Sequence, residues 1–190
     1  MFVLKTSMIL AVAIVAFTGC GSHKVYKQST INSKPYHAPK IDARVKQVYL
    51  REINTVRSQG RNCGDAGYFS AAPALRWSDV LYRAAYEHSH DMMKNKTFSH
   101  RGSHGTFDWT ANAQALPGGS SFRERMENNG YTKWKYVAEN IAMGSYTAEQ
   151  VMAGWLSSDK HCANIMNPIL TDVGMAEVNT FWTQNFAAHQ

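Results

Sequence analysis

Stretches of regular apolar spacing alternate along the chain with stretches that have none. Between Ile41 and Gly60 the apolar positions Val45, Val48, Tyr49, Ile53 and Val56 recur at steps that suit one buried helical face. Asp42 stands where that helix needs an N-cap and Gly60 where it should stop. A second helix is predicted from Ser78, whose hydroxyl can accept from a first-turn amide, with Leu81, Ala84, Ala85, His88 and Met92 along one side. From Lys94 to Ser120 the periodicity is lost. Gly102, Gly105, Pro117, Gly118 and Gly119 mark turns there, and so long a connection in a compact domain is usually functional or mobile. Ser121 and Glu124 form a capping box that opens a short helix, with Gly130 to end it. Thr147 and Gln150 repeat the device ahead of a helix that spaces Val151 and Trp155 four apart. Near the C-terminus, VGMAEV and FWTQNFA flank Asn179-Thr180 and read as a β-hairpin. Helices and strands mix without a strand-helix-strand rhythm, which predicts an α+β layered domain.

The first 19 residues carry Lys5 as their only charge and an apolar run from Ser7 to Phe17. That is the composition of a secretory signal peptide, and its apolar core is too short to cross about 30 Å of hydrocarbon. Phe17-Thr18-Gly19-Cys20 resembles the lipobox of bacterial lipoproteins, which implies cleavage before Cys20, acylation of that residue, and attachment to a membrane. Ordinary secretion, with Cys20 incidental, is the alternative. An outer-membrane destination is open for a host with two membranes.

Charge then divides the remainder. Residues 20–41 hold Lys24, Lys27, Lys34 and Lys40 with no acid, while residues 42–190 hold 15 basic and 14 acidic side chains. The first segment reads as a flexible basic tether that cannot bury enough surface to offset its ordering entropy, and residues 42–190 suit one domain. A nearly neutral body lacks the clustered basic face that nucleic-acid binding requires. With Cys20 acylated, an exported chain retains Cys63 and Cys162, and an oxidising compartment favours a disulfide between them. The rival is Cys162 as an activated thiolate. His161 is poorly placed to activate it, because neighbouring side chains diverge by about 100° on a helix and face opposite ways on a strand; another histidine would have to do so.

Several active-site patterns are absent. Glu87-His88-Ser89-His90 sets its histidines about 200° apart around a helix, so they cannot clasp one ion, and His88 reads as a core histidine. Gly118-Gly119-Ser120-Ser121 does not have the spacing of a nucleophile elbow. Phe107, Trp109 and Trp134 could line a groove near the long loop or cover the core edge.

What remains is a dispersed set in a particular order: Phe98-Ser99-His100, an R-x4-G-Y from Arg125 to Tyr131, A-E-N-I-A-x-G at 138–144, W-x-x-S at 155–158, His161, and G-x-A at Gly174. Over roughly residues 45–187 this resembles the bacterial branch of the CAP superfamily, also called the SCP domain. The resemblance implies a three-layer α-β-α sandwich whose cleft gathers two histidines and two acids. Transferred by position, these are His100, His161 and Glu139, with Ser158 standing where the eukaryotic pattern has its second acid. Two imidazoles and a carboxylate make the ligand set of an open zinc or other divalent-metal site. A cluster that merely hydrogen-bonds within the sandwich is the alternative. The function implied is an envelope-anchored binding or interaction module for a lipid, glycan or protein ligand, with enzymatic activity left open. A metal-dependent hydrolase of peptide, glycan or lipid is the competing class.

Overall fold

The computed structural model describes residues 37–189. The signal peptide, Cys20 and most of the tether lie outside the described residues.

Helix α1 (Ala43–Arg57) begins where its cap predicts: Asp42 Oδ1 accepts from the amides of Arg44 at 2.8 Å and Val45 at 3.2 Å. It ends at Ser58, two residues before Gly60. A small antiparallel pair follows, β1 (Arg61–Asn62) and β2 (Tyr68–Phe69), around a 3-10 turn at Gly64–Ala66. After the short strand β3 (Arg76–Trp77) comes α2 (Asp79–Asn95), capped by the Ser78 hydroxyl. The expected loop between 94 and 120 contains a short helix, α3 (Trp109–Gln114), started by Asp108. The predicted capping box opens α4 (Phe122–Asn128). A ten-residue strand, β4 (Trp134–Met143), then leads to α5 (Ala148–Leu156), α6 (Asp159–Met166), β5 (Asp172–Val178) and β6 (Phe181–His189).

The main sheet runs β3-β5-β6-β4, with β3 parallel to β5 and the other neighbours antiparallel. The hairpin expected at Asn179-Thr180 is β5-β6, and both turn residues have positive φ, as a tight primed turn requires. Side chains alternate across this sheet. Val173, Met175, Trp182 and Phe186 pack with Ile53 of α1, Trp155 of α5 and Ile165 of α6. On the opposite face Val137 and Ala187 pack with Leu81 and Ala84 of α2 and Met126 of α4. Helices therefore cover both faces, giving the expected three-layer sandwich. Where α2 crosses β5, a Cβ on Gly174 would run into the backbone of Leu81 and Tyr82, so glycine sets how closely these layers approach.

Strand β4 lies at an edge of the sheet, yet side chains cover part of its outer rim. Trp155 Nε1 donates to the Ile141 carbonyl at 3.0 Å, and Asn164 Nδ2 reaches the Glu139 carbonyl at 3.5 Å. Both carbonyls are thereby withheld from pairing with another strand. Two further devices lock the layer beneath. Arg57, fully buried, donates to the carbonyls of Pro73, Ile165, Asn167 and Leu170. Cys63 and Cys162 form a disulfide across 99 residues of sequence, which removes the thiol-nucleophile reading of Cys162. Residues 38–41, placed in the tether by composition, lie against the domain: Ala38 and Ile41 pack near Tyr82, and Tyr82 Oη donates to the Pro39 carbonyl at 3.0 Å.

Candidate functional site

Glu139 sits in the middle of β4 on the face covered by α2, with a fully buried carboxylate. Arg125 of α4, equally buried, donates from Nη2 to Oε2 at 2.9 Å, and His100 Nδ1 donates to Oε1 at 2.9 Å. Asn185 is the cross-strand neighbour of Glu139 on β6. Its carboxamide belongs in the orientation where Oδ1 accepts from the Ala85 amide and Nδ2 donates to Oε2 at 3.2 Å. Burial alone would push the Glu139 carboxyl up. The Arg125 charge, followed by His88 and the hydrogen bonds from His100 and Arg125, outweighs it and holds the pKa at about 2.

These contacts fix the tautomer of His100. An ionised carboxylate can only accept, so Nδ1 carries a proton, and in the neutral ring Nε2 holds the lone pair. Arg125 Nη2 also donates to the His100 carbonyl at 3.0 Å, and Nη1 donates to that of Ser120 at 2.8 Å. One guanidinium thus anchors the ring's carboxylate partner, the histidine backbone and the far end of the long loop. The His100 side chain itself is about half exposed, at 52%.

The long loop is also tied to α2 by carboxylates. Glu87 accepts from the Thr110 amide and Asp91 from the amide and hydroxyl of Ser103, while within the loop Asp108 accepts from the amides of His104 and Ser120. Glu87 and Asp91 are one helical turn apart, so one face of α2 holds both the middle and the start of the loop. His88 is a core histidine, as its place on the apolar stripe predicts. Its Nε2 donates to the Ser99 carbonyl at 2.8 Å and lies 3.9 Å from Glu139 Oε1. Burial, then the nearby Arg125 charge, lowers its pKa to about 3.

His161 approaches from the other side of the edge strand. It lies in the first turns of α6, half-buried, and Asn140 Nδ2 donates to its carbonyl at 3.3 Å. Its pKa is lowered, first by burial and then by His100. Ser158 occupies the N-cap position of α6 without a side-chain capping hydrogen bond. His100 and His161 are thus each tied to β4, the first through the Glu139 carboxylate and the second through Asn140, while Ser158 stands at the start of α6.

The resemblance makes Glu139 a metal ligand beside the histidines, but both its oxygens are committed to His100, Arg125 and Asn185. Among the described residues no group of three or more His, Cys, Asp or Glu is arranged to hold a metal ion. Glu139 instead holds and orients His100, which leaves two imidazoles as donors, short of the three protein ligands of an open zinc site. Phe107 and Trp109 pack around the His90 ring on α2, and Trp134 packs against the Leu81 and Met126 cluster; these aromatics cover the core edge. Arg125 is a site residue that the sequence pattern does not single out as one. Its signal is the R-x4-G-Y motif that Arg125 opens, to which the resemblance attaches no role in the cleft.

The sequence pattern of the cysteine-rich secretory protein family, CAP, matches residues 50–186. The chain belongs to that family. A relative from Bacillus subtilis, the uncharacterized protein YkwD, is 32% identical over 59% of this chain and 38% of its own length. The uncharacterized membrane protein YlbC of the same organism is 28% identical over 59% of this chain and 28% of its own. The chain thus spans well under half of either relative. Among solved structures, an extracellular protein containing an SCP domain from Bacillus anthracis superposes with a TM-score of 0.57 at 25% identity, over 82% of this chain and 46% of that one. An outer surface protein from Borrelia burgdorferi gives 0.57 at 18% identity, over 81% of this chain and 100% of that one. This second likeness is one of CAP fold.

Proposed function

We propose that this CAP protein is exported, held on the cell envelope by a lipid on Cys20, and acts as a binding module whose cleft offers the His100 and His161 imidazoles to a divalent cation or to a polar group of an envelope ligand. The observation that carries the reading is the Glu139–His100 hydrogen bond at 2.9 Å. A buried carboxylate that fixes the proton on Nδ1 presents Nε2 as a pre-aimed electron-pair donor, the usual arrangement behind a metal-binding imidazole. The extracellular SCP-domain relative from Bacillus anthracis supports export. Binding fits the cleft better than turnover. Glu139 is engaged on both oxygens, Ser158 replaces a second acid, and a bound ion would rest on two protein ligands. Such an ion would supply electrostatic attraction for an anionic ligand group.

Zinc titration with thermal melting is the test, run beside hydrolysis of peptide, glycan and lipid ester panels. Zinc should raise Tm of the wild-type protein, chelator should reverse the rise, and His100→Ala or His161→Ala should each abolish it, without turnover in any sample. No zinc response would remove the cation from the proposal. Turnover lost in both alanine variants would replace the module by a metal-dependent hydrolase.

A further inference from the structure

We propose that the face built by residues 38–46 and the start of α2 is a docking surface for an anionic phospholipid leaflet. This rests in part on the reading of Cys20 as a lipid anchor, since that anchor determines which surface meets the membrane. The segment 38–41 returns against α2 and, with the first turns of α1 and α2, lines an open pocket of about 360 Å³. The segment is tied down rather than draped: Tyr82 Oη donates to the Pro39 carbonyl, and Ala38 and Ile41 pack against the cluster of Tyr82, Ala85 and Ala176.

The chemistry of this face differs from that of the whole domain. Lys40, Lys46 and Arg83 line the pocket, and Arg44 is exposed beside it. Two acids are present, and both are engaged. Asp42 caps α1, while Asp79 accepts from Trp77 Nε1 at 2.8 Å and pairs with Lys46 at 3.4 Å. Apolar tips stand among the cations: Pro39 and Ala43 are exposed, and Val45 is 39% exposed. Basic side chains with interspersed apolar ones suit the headgroup level of an anionic bilayer, where lysine and arginine meet phosphate and short apolar groups reach the acyl boundary.

The chain's path strengthens the assignment. Residues 20–37 connect the lipid-bearing cysteine to this face, and even fully extended they reach about 60 Å. The face is therefore held at high local concentration beside whatever leaflet takes the lipid, and the connecting sequence is itself basic, with Lys24, Lys27 and Lys34 and no acid. Docking would turn an anchored domain into an oriented one.

The test uses the full chain in vesicles of phosphatidylcholine alone or mixed with phosphatidylglycerol, labelled with a membrane-impermeant amine-acylating reagent and read by peptide mass spectrometry. Lys40 and Lys46 should be protected in anionic vesicles and lose that protection in high salt, while exposed Lys160 stays reactive in both. Lys40→Glu with Arg44→Glu should abolish protection of Lys46, each lost charge weakening docking about fivefold. Equal reactivity in the two lipid mixtures, or protection that survives the double substitution, overturns the docking face. The N-terminal peptide reads the anchor separately. Acylated Cys20 with unprotected Lys40 defeats the docking face alone, whereas unmodified Cys20 with salt-sensitive protection defeats the anchor alone.

Discussion

Burial, and then the Arg125 charge, lower the His88 imidazole from an ordinary pKa of 6.5 to about 3, so the folded protein refuses a proton that the unfolded chain accepts between those values. Stability from this group is therefore complete above pH 6.5 and falls as pH drops toward 3. Glu87 and Asp91 act the other way: burial raises both carboxyls despite their hydrogen bonds, so acidification relieves a cost. Replacing His88 with glutamine, which can still donate to the Ser99 carbonyl, should flatten the dependence of unfolding free energy on pH between 6.5 and 3 by up to one proton, about 1.4 kcal/mol per pH unit. Urea titrations at several pH values measure this, and an unchanged slope would contradict a neutral His88. The Arg125–Glu139 pair admits a sharper experiment. Arg125→Met strands a buried carboxylate and should cost about 3–5 kcal/mol. Adding Glu139→Gln should recover part of that loss, so the double-mutant cycle should show a coupling well beyond additivity. Simple additivity would mean that Arg125 packs without pairing.

At the scale of elements, α1 depends on an arginine that, among the described residues, has no acid partner. Arg57 donates to four carbonyls, from Pro73, Ile165, Asn167 and Leu170, and burial lowers its pKa to about 10. Lysine keeps the charge but offers a single nitrogen where the guanidinium presents a rigid fork. Arg57→Lys should therefore cost about 3 kcal/mol or more by leaving buried carbonyls without donors. A loss below about 1 kcal/mol in chemical denaturation would show that water replaces the fork. This arginine also illustrates what sequence can reveal. Asp42, Ser78, Ser121 and Thr147 announce their helices because a cap is a local contact between residues two or three apart. Asn179-Thr180 announces the hairpin for the same reason. Strand β4 gives no such signal. Its centre reads Ala-Glu-Asn-Ile-Ala, and the polar pair is buried only because Arg125, His100 and Asn185 meet Glu139 while Gln184 and Asn164 meet Asn140. His100, Glu139 and His161 are legible through family resemblance. That Glu139 accepts from His100 and Arg125 together depends on Arg125 arriving from another helix, information absent from any local window.

Across the whole molecule, the layer formed by α1, α5 and α6 is secured by long-range links. The Cys63–Cys162 disulfide fastens the turn after α1 to α6. Beside it, Asp159 accepts from the Asp65 amide at 2.9 Å, and Asn54 exchanges two hydrogen bonds with the Leu75 backbone. The opposite layer, among the described residues, has no disulfide and relies on α2 packing and the carboxylate ties to its loop. A bond closing 99 residues restricts the unfolded chain far more than it strengthens any native contact, by up to about 4.7 kcal/mol in the chain-entropy account. Replacing both cysteines with alanine should cost about 2–5 kcal/mol and lower Tm on the order of 10 °C. Reductant should shift wild-type protein toward the double variant and leave the variant unchanged. Because the bond anchors α6, which carries His161, while His100 is held through Arg125 and Glu139 on the other face, the loss should also discriminate between the histidines. Local opening measured by hydrogen exchange should increase in α6 before it increases in α2 or β4. Uniform acceleration across both layers would show that the disulfide stabilises the fold as a whole and leaves the His161 side of the cleft no looser than the rest.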